Sequence, residues 1–223
     1  VDVVRCITLA ERPERQAHAE SEFERIGLAG IASFNVEHLD VHDGKRGCFY
    51  AHQRVARDAL ALGAGSVLVF EDDVEFLPSF SDKACSRAVR FLRAPPDDAW
   101  EIFFLGHAPR AMQLVEPDVV RVRSLEAHAY ILSAAGMRAL SALEYDGRQV
   151  DVHYHYACRH AYALYPMVAV QRPFWSDTEL LERSDTRAER LAREAELYQA
   201  SVMRSAIGRA TEVVALMEAR SAH

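Results

Sequence analysis

An α/β domain with a largely parallel central sheet is the fold class this sequence predicts, and three observations carry it. Short apolar runs rich in β-branched or aromatic residues recur at 3–10, 66–71 and 101–106. Between them lie segments with apolar residues three and four apart, opened or closed by proline or glycine. The two patterns alternate, as βα units require. At 223 residues the chain suits one large domain, or one domain with an appendage.

The elements follow in order. "VVRCITLA" (3–10) reads as a first strand, and Pro13 opens a helix that Gly27 stops. "IASFNVEHLD" (31–40) reads as a second strand leaving the sheet. "DGKRG" (43–47) is a turn before an amphipathic helix over about 48–62. A strand over 66–71 enters through the Gly-x-Gly of "LGAGS". Pro78, Ser79 and Ser81 start a helix to about Arg93, which Pro95-Pro96 ends. "EIFFLG" (101–106) is a buried strand. "VVRVRS" and "AHAYILS" (119–133) read as two pairing strands, and "AAGMRALSAL" (134–143) as a short helix. "AYALYP" (161–166) is a last strand and "QRPFWSD" (171–177) a loop. From about Thr178 one uninterrupted helical pattern runs to the end. Its apolar seam is Ala188, Leu191, Ala195, Tyr198, Val202 and Ala206. This divides the chain into a domain over 1–177 and a helical extension over 178–223, whose seam suits packing against a second copy of the chain.

Composition excludes several classes. A net charge of -7 with no basic stripe argues against nucleic acid. Cys6, Cys48, Cys85 and Cys158 form no C-x-x-C pair, so zinc-ribbon and redox motifs fail. No stretch approaches the roughly 18 consecutive apolar residues of a membrane span. Unpaired cysteines and the lack of a secretory signal suggest a reduced, cytoplasmic setting. The chain begins without Met, which leaves room for a missing upstream segment.

The chemistry concentrates in "VLVFEDDVEF" (67–76). A buried parallel strand delivers its last residues to the carboxyl edge of the sheet, where open α/β folds bind ligands. Here it delivers Glu71, Asp72 and Asp73, which repel one another unless something positive sits among them. They could cap the next segment or form surface pairs. A buried strand's end is a costly place for that, and oxygen-only ligands suit Mg²⁺ or Mn²⁺. The run also looks like the first strand of a response-regulator receiver domain. That reading fails, because "EIFFLGHAP" has no Asp to accept phosphate and no lysine follows Lys83.

The chain resembles glycosyltransferase family 25, which includes lipopolysaccharide and collagen galactosyltransferases. "ITLAERPER" (7–15) is similar to that family's opening, with Thr8 and Ala10 replacing an Asn and an Asp. "GCFYAH" (47–52) is close to Gly-Cys-x-x-Ser-His, with Ala51 for Ser. The acidic motif, "FFLGH" (103–107), "AHAYILSAAGMRAL" (127–140), "VD" (150–151), "YALYP" (162–166) and Gln171, Ser176 and Asp177 follow in the family's order. The tail beyond Thr178 lies outside the resemblance.

The resemblance implies a GT-A-type nucleotide-sugar-binding fold and hexose transfer from a UDP-sugar to a hydroxyl, with galactose or glucose moved and the configuration inverted. Departure of a diphosphate needs its growing charge stabilised, which a divalent cation on fixed carboxylates supplies. Asp73 is then the expected Mn²⁺ or Mg²⁺ ligand, with Glu71 or Asp72 toward the ribose. Arg12 and Arg15, beside a helix N-terminus, suit an anionic diphosphate or a uracil edge, or else a solvated helix face. In "VDVHYHYACRH" (150–160), a strand would put Asp151, His153 and His155 on one face. A helix would make Asp151 the N-cap, with His155 four residues on. The resemblance favours the helix and places Asp151 on the acceptor side, as general base or anchor. His153 or His155 would complete the metal shell, unless the patch is packing. His52 stands one helical turn after Cys48. His52, His128 and Tyr130 suit buried structural roles better than reacting ones, and Trp175 could wall the donor or acceptor. The sequence leaves the acceptor open: a glycan, a lipid-linked sugar, hydroxylysine or another protein side chain. The altered positions Thr8, Ala10 and Ala51 keep a second reading open, a transferase-like scaffold that no longer catalyses.

Overall fold

The computed structural model describes residues 1–95, 99–172 and 187–221. Its main sheet has the order β2-β1-β3-β6-β5-β7, from β1 (Val3–Leu9), β2 (Ser33–Glu37), β3 (Ser66–Glu71), β5 (Ile102–Glu116), β6 (Val119–Ser133) and β7 (Ala161–Leu164). β6 alone runs against the others. The predicted α/β domain with a mostly parallel sheet is therefore present. Along β3, Val67 and Val69 enter one core and Phe70 the other, as the two-residue side-chain period dictates. One face is covered by α2 (Gly44–Ala61), α4 (Ala134–Ser141) and α5 (Val150–Ala157), the other by α1 (Pro13–Ile26) and α3 (Asp82–Arg93).

Several boundaries differ from those predicted. The turn "DGKRG" is the first turn of α2, because the Asp43 side chain caps it by accepting from the Arg46 amide at 3.1 Å. The two strands expected over 119–133 are one strand, bent at Glu126 in the left-handed region (φ 59°). It pairs with a β5 that continues past Gly106 through several bulges. Two three-residue strands, β4 (Val74–Phe76) and β8 (Ala169–Gln171), pair antiparallel just beyond the acids. A side chain at Gly106 would clash with His128 and lie 2.5 Å from the Ala169 carbonyl. Bare backbone there lets β8, which carries Gln171, lie against the sheet.

The C-terminal helix, α6 (Arg187–Ser221), packs on its own domain. Tyr198 stacks on Tyr165 at 3.5 Å, Ser201 Oγ accepts from the Leu114 amide at 2.5 Å, and Arg204 donates to the Met112 carbonyl at 3.1 Å. The expected seam is only partly in phase. Leu191 and Tyr198 face the domain, whereas Ala188 and Ala206 are exposed and Arg190, Glu194 and Ser201 are buried. The start of the extension near Thr178 lies outside the described residues. No helix among the described residues is long and apolar enough to cross a membrane.

Glu194 is 2% exposed and accepts from the Met167 amide at 2.8 Å. Burial raises its carboxyl from 4.5 to about 7. Between those values the folded chain holds a proton that the unfolded chain has lost, so this group costs stability as pH rises through the window. Glu194→Gln is expected to be more stable than wild type at pH 8, by up to about 3 kcal/mol, and to lose that advantage near pH 5. Urea denaturation at the two pH values measures the difference. A constant offset would contradict it.

Candidate functional site

Glu71 ends β3, and Asp72 and Asp73 form the turn into β4. A positive group among them is Arg15, from the first turn of α1. Its Nη2 lies 2.5 Å from Asp72 Oδ1 and donates to Asp73 Oδ2 at 3.2 Å. Thr8, from β1, donates to Asp72 Oδ2 at 2.7 Å. Burial raises the Asp72 carboxyl above its usual range, and Arg15 and the Thr8 hydroxyl oppose that rise. Both Asp72 oxygens are thus gripped at short distance inside the protein. Arg15 is turned to the acids, and Arg12 stands at the N-cap of α1.

The other two carboxylates both meet Gln171. Gln171 Nε2 donates to Glu71 Oε2 at 3.1 Å and reaches the Asp73 oxygens at 3.3 and 3.4 Å, the long end of the hydrogen-bond range. The Arg172 amide fastens the turn through the Asp73 carbonyl at 2.7 Å. Gln171 Oε1 is buried and without a hydrogen-bond partner among the described residues. Rotating that amide would present an oxygen beside the carboxylates, since its N and O are assigned from the surrounding bonds. Glu71, Asp73 and Gln171 could then offer an all-oxygen set, which fits a hard divalent cation.

Asp151 is the second residue of α5, whose N-cap is Gln149 and not Asp151 itself. Its Oδ2 accepts from the Glu126 amide at 2.8 Å and its Oδ1 from the Val152 amide at 2.7 Å. The carboxylate thereby fixes the bend in β6. Asp151 and Glu71 line the same cavity, of about 60 Å³, with Cys48, Glu126, Ala127, Gln149, Val150 and Gln171. Elements distant in sequence so bring the strand-end acid and the helix acid to one pocket. Glu126 completes a third carboxylate there and is tied to Arg190 of α6 at 2.8 Å.

The histidines of α5 are arranged differently from the expectation. A helix turns position 153 roughly 200° away from 151. His153 accordingly packs edge-on against Phe49 at 5.2 Å, with Nε2 3.2 Å from Asp146 Oδ1. His155 Nδ1 lies 3.2 Å from the Ser124 carbonyl. The structure brings neither to the strand-end acids. The histidine that reaches them is His52, whose Nε2 is 3.2 Å from Glu71 Oε1 and whose Nδ1 is 2.6 Å from the Tyr130 hydroxyl. Sequence reasoning noted the Cys48–His52 spacing but gave it no role. It missed Glu126 altogether, because neither periodicity nor a turn residue marks that position. Trp175, Ser176 and Asp177 lie outside the described residues.

No protein-family model matches the chain. A rat protein named "Probable inactive glycosyltransferase 25 family member 3" is 26% identical over 83% of this chain and 41% of its own length. A Drosophila pseudoobscura "Glycosyltransferase 25 family member" is 29% identical over 64% of this chain and 27% of its own. The chain thus spans about two fifths, or less, of these curated relatives. Their names bear out the resemblance read from the sequence. Among solved structures, a glycosyltransferase involved in glycosylation of the PBCV-1 major capsid is similar at a TM-score of 0.48 and 10% identity, over 87% of this chain and 99% of that one.

Proposed function

We propose that the chain is a glycosyltransferase that moves a hexose, galactose or glucose, from a UDP-sugar to an acceptor hydroxyl on a glycan or protein, with inversion. The observation that carries this reading is the shared pocket, where Glu71 at the sheet's carboxyl edge meets Asp151. In the proposed site Asp73 and the Gln171 carbonyl hold Mn²⁺ or Mg²⁺, which when bound neutralises charge growing on the departing diphosphate. Glu71 faces the ribose, since both Asp72 oxygens are already engaged with Thr8 and Arg15. Arg15 keeps the acids together, and Arg12, at the N-cap of α1, meets the diphosphate. Asp151 takes the proton of the acceptor hydroxyl. A carboxylate has about four lone-pair sites, so two backbone amides leave room for that proton.

The relatives' names favour one other reading, a transferase-like domain without catalysis, since the rat protein is named probable inactive. Incubating the chain with UDP-galactose, UDP-glucose and other nucleotide sugars, with and without Mn²⁺, separates the two. Metal-dependent release of UDP is expected from one donor above the rest. Metal-dependent UDP binding without turnover of any donor would favour the inactive domain.

A further inference from the structure

We propose that Cys48, His52 and Glu71 form a second, softer metal site, suited to a zinc-type divalent ion. Cys48 and His52 are four residues apart on α2 and so share one helix face, and His52 reaches Glu71 at the end of β3. One ligand atom from each of the three residues lies within 4.8 Å of the others. Around a tetrahedral zinc, ligand atoms about 2.0–2.3 Å from the metal are spaced about 3.3–3.8 Å apart. The His52 Nε2–Glu71 Oε1 separation, 3.2 Å, is already close to that spacing. The thiol, within 4.8 Å of the other two ligand atoms, needs to close by at most about one ångström to match it.

The ligand chemistry selects the ion. Thiolate and imidazole suit zinc, cobalt and their neighbours, whereas Mg²⁺ and Mn²⁺ prefer oxygen. A ligating histidine is ordinarily steered by a partner on its other nitrogen. His52 Nδ1 has one in the buried Tyr130 hydroxyl at 2.6 Å, itself 3.1 Å from the Tyr154 hydroxyl. With Nδ1–H donating to Tyr130, the Nε2 lone pair points to Glu71. Cys48 and Glu71 line the cavity, so the fourth position opens on the pocket, as in zinc sites that keep an exchangeable ligand. Glu71 is shared with the proposed donor site, so the test is made without nucleotide.

Titration of the metal-free chain with Co²⁺, without nucleotide, tests it by absorption. One equivalent should develop a thiolate-to-cobalt charge-transfer band that Zn²⁺ bleaches. Cys48→Ser should abolish the band, with circular dichroism confirming the fold and Cys48→Ala as a second variant. Cys85→Ser, at the exposed cysteine, should retain it. Tyr130→Phe should weaken Co²⁺ binding by about 10- to 100-fold, as loss of a steering partner does. A wild-type chain with no such band, or a band that persists without the Cys48 thiol, would overturn the site.

Discussion

Asp151→Asn is expected to lower sugar transfer by about 10²-fold or more, the scale of losing a general base, while leaving UDP affinity nearly unchanged. The substitution keeps the side-chain shape and one carbonyl oxygen. It can still accept from the Glu126 amide, so the bend in β6 should survive. What it removes is the carboxylate able to take a proton. The outcome separates two roles that the geometry superposes. If Asp151 only fixes the bend, the loss should track a fall in melting temperature, and kcat should stay within a few-fold when assayed below it. If donor affinity collapses instead, Asp151 belongs to the donor side and the base lies elsewhere.

The parts of this fold that were legible in the sequence are those where one local signal dominates. The apolar run at 67–70 reads as a strand buried on both faces, and Pro13 and Gly27 bracket α1, with Gly27 in the left-handed conformation its lack of Cβ favours. The acids at the carboxyl end of β3 follow from those two facts. What could not be read depends on contacts between distant segments. β4 and β8 are three residues each, too short for a period, and exist because they pair with one another. Glu126 takes a left-handed conformation unfavourable for its type, held by Asp151 and Arg190 from elsewhere in the chain. The inward face of α6 was misplaced because its most buried members, Arg190, Glu194 and Ser201, are polar and satisfied by backbone or side-chain partners. Hydrophobic periodicity does not register such residues. The counter-charge expected among the acids was a divalent ion, whereas Arg15, expected to meet a diphosphate or a uracil edge, supplies positive charge from the chain itself. That it grips Asp72 and Asp73, and not a ligand alone, required the register of β1 against β3 to be known.

Asp73→Asn is the second large expected effect. The side chain keeps its volume and can still meet Gln171 and Arg15, so the turn should hold. The buried cluster loses one negative charge, which relieves repulsion with Glu71 and Asp72 and should leave stability equal or slightly higher. Cation binding should fall by about 10²-fold or more, since losing only a residue that steers a metal ligand already costs 10- to 100-fold. The account's central claim is that these strand-end carboxylates bind a nucleoside diphosphate through a divalent ion. Calorimetric titration of UDP into the wild-type chain and into Asp73→Asn, each with Mn²⁺ and with EDTA, tests it most directly. Binding by the wild type with Mn²⁺ alone, and by the variant in neither buffer, is the predicted result. Equal Mn²⁺-dependent binding by both proteins, or wild-type binding that EDTA leaves intact, would contradict it.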